Sequence, residues 1–162
     1  MNDGLKTIVD LEKYPIHNLD SPIIKNLIKK CKKELDEDSC STIPNFILPK
    51  SLETMNLELE KQLDEVYMSK EKINAYLYAK DDPSLPKEHP KRNFMERYNG
   101  YLNSDCFQKS SEMKYLYETE ELLKFVSACL GVSPIYRWAD PLACHAYNVM
   151  KPDGILPWHF DS

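Results

Sequence analysis

Several features that would point directly to a function are missing from this chain of 162 residues. It contains no C-x-x-C pair, no internal repeat and no low-complexity tract. No apolar run approaches the roughly 20 residues that a membrane-spanning helix needs. The amino terminus also lacks the basic-then-apolar order of an export signal. We therefore expect no membrane partner.

The chain also lacks a net positive charge. The formal net charge is -5 at pH 7 and the isoelectric point is near 5.4, whereas proteins that bind nucleic-acid phosphates cluster lysine and arginine. A nucleic-acid partner is therefore not expected. The cysteines are odd in number and irregularly spaced. Because the chain also lacks an export signal, we expect them to be free thiols in a reducing cytoplasm. They are Cys31, Cys40, Cys106, Cys129 and Cys144.

Apolar residues at spacings of three and four predict three helices. The first begins at Ser21–Pro22, and the second covers about residues 51–68. The third follows Thr119, a candidate cap, and ends at Gly131. Its expected apolar face consists of Leu122, Leu123, Val126 and Leu130.

Strand-like segments dominate the second half. Residues 73–79 change to a strand-like period, and the proline-rich stretch "KDDPSLPKEHPKR" predicts an extended surface loop. Further on, "IYRWA", "LACHAYNVM" and "ILPWHFD" predict strands separated by the turn signals "DP" and "KPDG". Helices first and strands last predict an α+β domain, a helical layer against an antiparallel sheet. We expect one domain over residues 1–162, helical over 1–70, with the sheet region in 71–162.

The last predicted strand contains a candidate metal site. Side chains alternate along a strand, so His159 and Asp161 should share a face, about 6.6 Å apart along the backbone, with Trp158 and Phe160 on the other face. An imidazole and a carboxylate are two of the three ligands of the 2-His-1-carboxylate triad of non-haem Fe(II). His-x-Asp by itself is a short pattern, and a surface salt bridge or an ordinary strand histidine is the alternative.

Longer motifs surround this pair. The segments "DDPSLPKEHPKR", "LYETEELLKFVSACLG" and "IYRWADPLACHAYNVMKPDGILPWHFDS" occur in the order and spacing typical of Fe(II)/2-oxoglutarate-dependent dioxygenases. Among these enzymes, the chain resembles the amino-acid hydroxylase and halogenase group. The resemblance covers roughly residues 81–162, about half of the chain.

The resemblance implies a double-stranded β-helix (jelly-roll) core with helices packed outside, and His159 and Asp161 as Fe(II) ligands. It also implies 2-oxoglutarate as co-substrate, oxygen, ascorbate as a candidate reductant, and a small polar substrate such as a free amino acid. Halogenases of the group replace the carboxylate ligand by a small residue. Retention of Asp161 therefore implies hydroxylation.

The same resemblance implies two residues that the chain does not contain. Family members add a distal histidine ligand and then an arginine that binds the far carboxylate of 2-oxoglutarate, and neither occurs before Ser162. A jelly roll also needs eight strands, of which about four are predicted. We therefore expect an N-terminal portion of a longer enzyme, inactive by itself.

Five further residues are candidates for contacts with substrate or co-substrate. For His145, on the strand next to the metal motif, a packed or hydrogen-bonded role is favoured. Tyr147 and Asn148 point to opposite faces, so one of them is the candidate. Arg137 and Asp140 suit the charged ends of an amino acid, although an ordinary surface pair beside a turn fits them equally well.

Two other functions fit the same residues. One is an inactive, truncated relative that binds metal weakly without catalysis. The other is a zinc-dependent hydrolase in which His159 and Asp161 hold the metal.

Overall fold

Helices precede and interrupt a three-stranded sheet in the computed structural model, which describes residues 3–142 and 144–160. The helices are α1 (Leu5–Ile8), α2 (Pro22–Asp38), α3 (Pro49–Glu60), α4 (Glu112–Glu118) and α5 (Glu120–Leu130). The strands are β1 (Tyr67–Ile73), β2 (Met95–Asn103) and β3 (Ala146–Val149). Short 3-10 turns occupy Leu63–Glu65, Pro90–Arg92 and Ser104–Cys106.

The helices α2 and α5 have the boundaries that the sequence predicts. Pro22 opens α2 at a position where its missing N–H costs nothing, and the helix ends at Ser39, whose φ of 56° is left-handed. Thr119 precedes α5, and Gly131 ends it with a φ of 69°. A left-handed residue after the last turn is the common way for a helix to terminate.

The buried face of α5 differs from the predicted one. Phe125 and Cys129 are buried, whereas Val126 and Leu130 are 37% and 52% exposed. The ring of Phe125 stacks on that of Phe46, with 6.1 Å between centroids. Leu122 of the predicted face also packs against the core, so the buried face of α5 runs through Leu122, Phe125 and Cys129.

The second helix is shorter than predicted. It ends at Glu60, and β1 begins at Tyr67, so the predicted helix over 51–68 is wrong in its last part. Seven residues of β1 pair in antiparallel register with β2, from Tyr67 opposite Tyr101 to Ile73 opposite Met95. The strand predicted over residues 73–79 is wrong as well, since β1 ends where that strand was expected to begin.

The helices enclose an apolar core in which α1 is central. Leu5 and Val9 are fully buried, although this part of the sequence shows no strong helical period. The core cluster comprises Leu5, Ile8, Val9, Ile16, Ile24, Cys31, Met55, Leu116, Phe125 and Cys129. Burial of such side chains is the main favourable contribution to folding.

The sheet has the order β1-β2-β3 and is antiparallel throughout. Its central strand, β2, falls in a region for which the sequence predicted no element. Gly100 pairs with Val149, and Asn103 pairs with Ala146. Mixed helices and antiparallel sheet confirm the α+β prediction, and three strands are what the described residues form.

Two predicted strands are wrong. Residues 135–139 form no strand and have no ladder pairing. The backbone N–H of Trp138 instead donates to the hydroxyl of Tyr117 at 3.1 Å. In the segment 155–160, pairing is limited to an isolated bridge between Ile155 and Tyr98.

The "KPDG" turn does not join two neighbouring strands. Val149 lies opposite Gly100, and Ile155 lies opposite Tyr98, on the same edge of β2. Residues 150–154 therefore form an excursion, closed by a 2.8 Å bond from the N–H of Gly154 to the carbonyl of Lys151. After it the chain resumes its course along the same strand.

All five cysteines are free. Among the helices of the described ranges, none combines the length and apolar character needed to cross a membrane.

Candidate functional site

The segment that carries His159 is anchored at two points. At its start, Ile155 and Tyr98 exchange two backbone hydrogen bonds of 2.8 Å. At Phe160, the backbone N–H donates to the carbonyl oxygen of Ala75, also at 2.8 Å. His159 therefore lies between two fixed points, beside the end of β1.

The imidazole of His159 is half-buried and oriented by its own backbone. Nδ1 lies 2.8 Å from the carbonyl oxygen of Pro157. Because a carbonyl only accepts, the proton is on Nδ1, and a neutral ring then has its lone pair on Nε2. Histidines that bind metals are commonly oriented by such a bond from the other ring nitrogen.

This donor suits Fe(II), which accepts imidazole nitrogen together with carboxylate oxygen. The predicted carboxylate, Asp161, lies outside the described residues. Within those residues, no group of three His, Cys, Asp or Glu side chains converges as a metal site. Of the two predicted ligands, only His159 lies among the described residues.

The aromatic residues on either side of His159 are more exposed than the histidine itself. Trp158 and Phe160 are 89% and 60% exposed, while His159 between them is half-buried. The ring of Phe160 lies 5.2 Å from that of Tyr76, in the turn that follows β1. Sequence reasoning did not identify Ala75 or Tyr76, because a backbone carbonyl and a nearby ring leave no signal in the spacing of residues.

The structure brings His145 and Tyr147 together, on the side of the sheet that faces the helices. His145 immediately precedes β3 and is buried, with its ring 4.8 Å from that of Phe107 and 5.1 Å from that of Tyr117. Tyr147 lies in β3 and stacks on Phe107 at 5.3 Å. Both residues therefore belong to an aromatic cluster.

Burial controls the protonation of both groups. It lowers the pKa of His145, and the nearby Lys114 lowers it further, while Glu118 and Glu58 act in the opposite direction. Burial also raises the pKa of Tyr147, with a smaller contribution from Glu58. His145 is thus packed among aromatic rings, and burial holds its pKa below the ordinary value.

The remaining candidates are separated. Asn148 lies opposite Tyr101 in the ladder and is exposed. The Nη1 of Arg137 pairs with Glu120 at 2.8 Å, and its Nε donates to the carbonyl of Tyr117 at 3.1 Å.

The carboxylate of Asp140 accepts the N–H of Leu142 at 2.8 Å, which makes it part of a turn. Arg137 is thus held to the helices, not to Asp140. Recognition of substrate by either residue stays a prediction.

A cleft of about 680 Å³ opens between α3, the start of α4 and the turn at residues 104–106. Its lining includes the acidic side chains of Glu58, Glu65, Asp105 and Glu112 and the basic side chain of Lys61. Glu58 is held there by Ser111, whose hydroxyl donates to it at 2.7 Å. The sequence did not reveal this cleft, because its two walls are about fifty positions apart.

Comparison with family models, curated proteins and solved structures found no match to this chain.

Proposed function

We propose that this chain belongs to a non-haem Fe(II)/2-oxoglutarate-dependent oxygenase that hydroxylates a small polar substrate such as a free amino acid. His159 and Asp161 would be metal ligands. The observation that carries the proposal is the hydrogen bond from Nδ1 of His159 to the carbonyl of Pro157, within a segment anchored at both ends. The order of the quoted motifs along the chain supports the reaction class.

In this proposal the protein supplies geometry, and the metal and co-substrate supply the oxidising chemistry. The bond to Pro157 places the ring proton on Nδ1, so Nε2 is the nitrogen that would bind a metal, and it fixes the plane of the ring. Asp161 adds an anionic oxygen ligand. Because that carboxylate would occupy the position that halide takes in related halogenases, hydroxylation is the proposed outcome, within a jelly-roll core.

Metal binding tests the first step. The chain has four histidines, so each ring can be followed by NMR while Mn(II) is added. We expect the ring signals of His159 to broaden at a lower Mn(II) concentration than those of the other histidines. His159→Ala should abolish Mn(II) binding at that low concentration. His17→Ala is the matched control, since His17 is exposed and distant in sequence. Earlier or equal broadening at His17 and His89 would contradict a metal site at His159.

The reaction class needs a second test. Sequencing the transcript past the codon for Ser162 should reveal a strand-like segment with a histidine, followed by an arginine. The protein translated from that transcript should then form succinate from 2-oxoglutarate with Fe(II), ascorbate and a panel of amino acids. Additional carboxylates or histidines without the arginine would support a zinc hydrolase, and an immediate stop codon would support an inactive relative.

A further inference from the structure

We propose that Asn74 is a positioning residue for His159, acting through the turn of residues 74–78. This inference rests on the metal role proposed for His159. It concerns a part of the chain in which the sequence predicted only a strand. The turn contacts the metal-binding segment directly, through a backbone bond and a ring contact.

Asn74 makes four hydrogen bonds within the turn of residues 74–78. Its side chain is almost fully buried. Its Oδ1 accepts the backbone N–H of Tyr76 at 2.9 Å and that of Tyr78 at 3.2 Å. Its own backbone N–H donates to the carbonyl of Tyr78 at 3.0 Å, and its carbonyl accepts the N–H of Leu77 at 2.9 Å. One residue thus organises the whole turn.

The same side chain also ties the turn to the proline-rich loop. Nδ2 of Asn74 donates to the carbonyl of Lys91 at 2.6 Å. The ammonium of Lys91 in turn lies 5.5 Å and 5.9 Å from the ring centroids of Tyr76 and Tyr78, within range of a cation–π attraction. The turn is therefore held from two sides.

Leu77 shows that this support is needed. Its φ of 63° is in the left-handed region, which costs free energy for a bulky residue such as leucine. Such a conformation persists only where the surrounding bonds determine it. Here the bonds made by Asn74 provide that determination.

The turn controls the position of His159 through the next residue. It presents the carbonyl of Ala75 to the N–H of Phe160 at 2.8 Å, and the ring of Tyr76 to the ring of Phe160 at 5.2 Å. Phe160 follows His159 directly, so a shift of the Phe160 backbone also shifts the backbone that carries the imidazole. The other anchor, at Ile155, pairs with β2 and does not involve Asn74.

The test combines amide hydrogen exchange at Phe160 with the Mn(II) titration of the His159 ring. In Asn74→Ala, we expect exchange at Phe160 to quicken roughly tenfold, since local opening becomes easier. Mn(II) affinity at His159 should fall roughly 10- to 100-fold, as when groups that orient a ligand are removed. Protection of the Ile155 amide should be unchanged. Asn56→Ala, at an exposed position of α3, is the matched control.

Two further variants keep the test decisive if Asn74→Ala does not fold. Asn74→Asp retains the acceptor for Tyr76 and Tyr78 but loses the donor to Lys91, so it should recover part of the affinity. Tyr76→Leu removes only the ring contact with Phe160 and should weaken Mn(II) binding less than Asn74→Ala.

Each outcome decides between the proposals. Faster exchange at Phe160 with unchanged Mn(II) affinity in the folded variants would overturn the positioning role of Asn74 and leave the metal site intact. Failure of the unmutated chain to show selective broadening at His159 would reject the metal role and the positioning role together. Loss of affinity with slow exchange at Phe160 would also overturn the inference, because the effect would not pass through the turn.

Discussion

The ring of Phe107 lies against that of Tyr147, with 5.3 Å between the centroids and 22° between the planes. The same ring meets His145 edge-on at 4.8 Å. Phe107 follows the end of β2 by four residues, whereas the other two residues lie in or next to β3. These ring contacts therefore fasten the last described strand to the helical side of the domain.

Phe107→Ala should lower the free energy of unfolding by about 3–5 kcal/mol, the usual cost of emptying a buried aromatic site. Phe107 is almost completely buried and contacts two other rings. Urea denaturation measures the change. Tyr136→Ala is the control, since Tyr136 is 82% exposed, and it should stay within about 0.5 kcal/mol of the unmutated chain. Equal losses in the two variants would contradict the packing described for Phe107.

His145 should make the stability depend on pH in the mildly acidic range. Burial lowers its pKa below 6.5 in the folded state. As the pH falls below about 6.5, the unfolded chain takes up a proton that the folded chain refuses, so the unfolded state is favoured. Stability should therefore rise with pH up to that value. Urea unfolding at a series of pH values should show this rise, and His145→Gln should reduce it.

The charges around His145 should shift its titration in opposite directions. Lys114→Gln removes a cation that lowers the pKa of His145, so the pKa should rise. Glu118→Gln removes an anion that raises it, so the pKa should fall. The chemical shift of the ring protons, followed against pH, measures both. Shifts of the same sign in the two variants would show that His145 does not face these charges.

Ser111 should contribute far more to the stability of the fold than its neighbour Ser110. The hydroxyl of Ser111 accepts the N–H of Lys114 at 3.3 Å, capping α4, and donates to Glu58 at 2.7 Å. Ser111→Ala should cost about 1–3 kcal/mol of stability, since it removes a cap and a bond to a carboxylate. Ser111→Thr should retain most of it. Ser110→Ala, at an exposed position, should be nearly neutral in the same thermal or urea melt.

Cys129 should be protected from deprotonation. Burial, with a smaller effect of the adjacent Cys31, raises the pKa of its thiol from 9.0 to about 12. Above about pH 9 the unfolded chain releases this proton and the folded chain retains it, so stability falls as the pH rises towards 12.

Unfolding midpoints measured between about pH 8 and about pH 10 should therefore decline less steeply in Cys129→Ala than in the unmutated chain. Cys40→Ala, which alters an exposed thiol, should leave the decline unchanged. A thiol reagent should also modify Cys40 in the folded protein long before Cys129.

Local signals in the sequence located the ends of two helices, α2 and α5, but not the end of α3. Pro22 and Gly131 act through their own backbone geometry, so their effect is visible without knowledge of the rest of the fold. The strands were harder to predict, because the pairing of a strand depends on residues that are distant in the sequence. The predicted second helix extended to about residue 68, yet Met68 lies in β1 and pairs with Gly100, so the sheet overrides the helical period.

In the candidate site, too, local features could be predicted from the sequence and distant contacts could not. His159 could be identified from its neighbours in the sequence, since His-x-Asp and its flanking motifs are local. The supports of His159 could not, because Ala75 contributes a carbonyl and Asn74 acts through a turn more than eighty positions away. His145 and Tyr147 were recognised as candidates, but their cluster with Phe107 depends on how β3 meets β2.

The excursion of residues 150–154 makes this edge of the sheet a tolerant place for added sequence. The pairing of Gly100 with Val149 and that of Tyr98 with Ile155 are fixed on either side of it, and the intervening residues take no part in the ladder. A short epitope tag inserted after Lys151 would lengthen a surface loop, whose closure entropy grows only slowly with length. An antibody or a fluorophore could thus be attached close to the proposed metal segment without changing the register of the strands that support it.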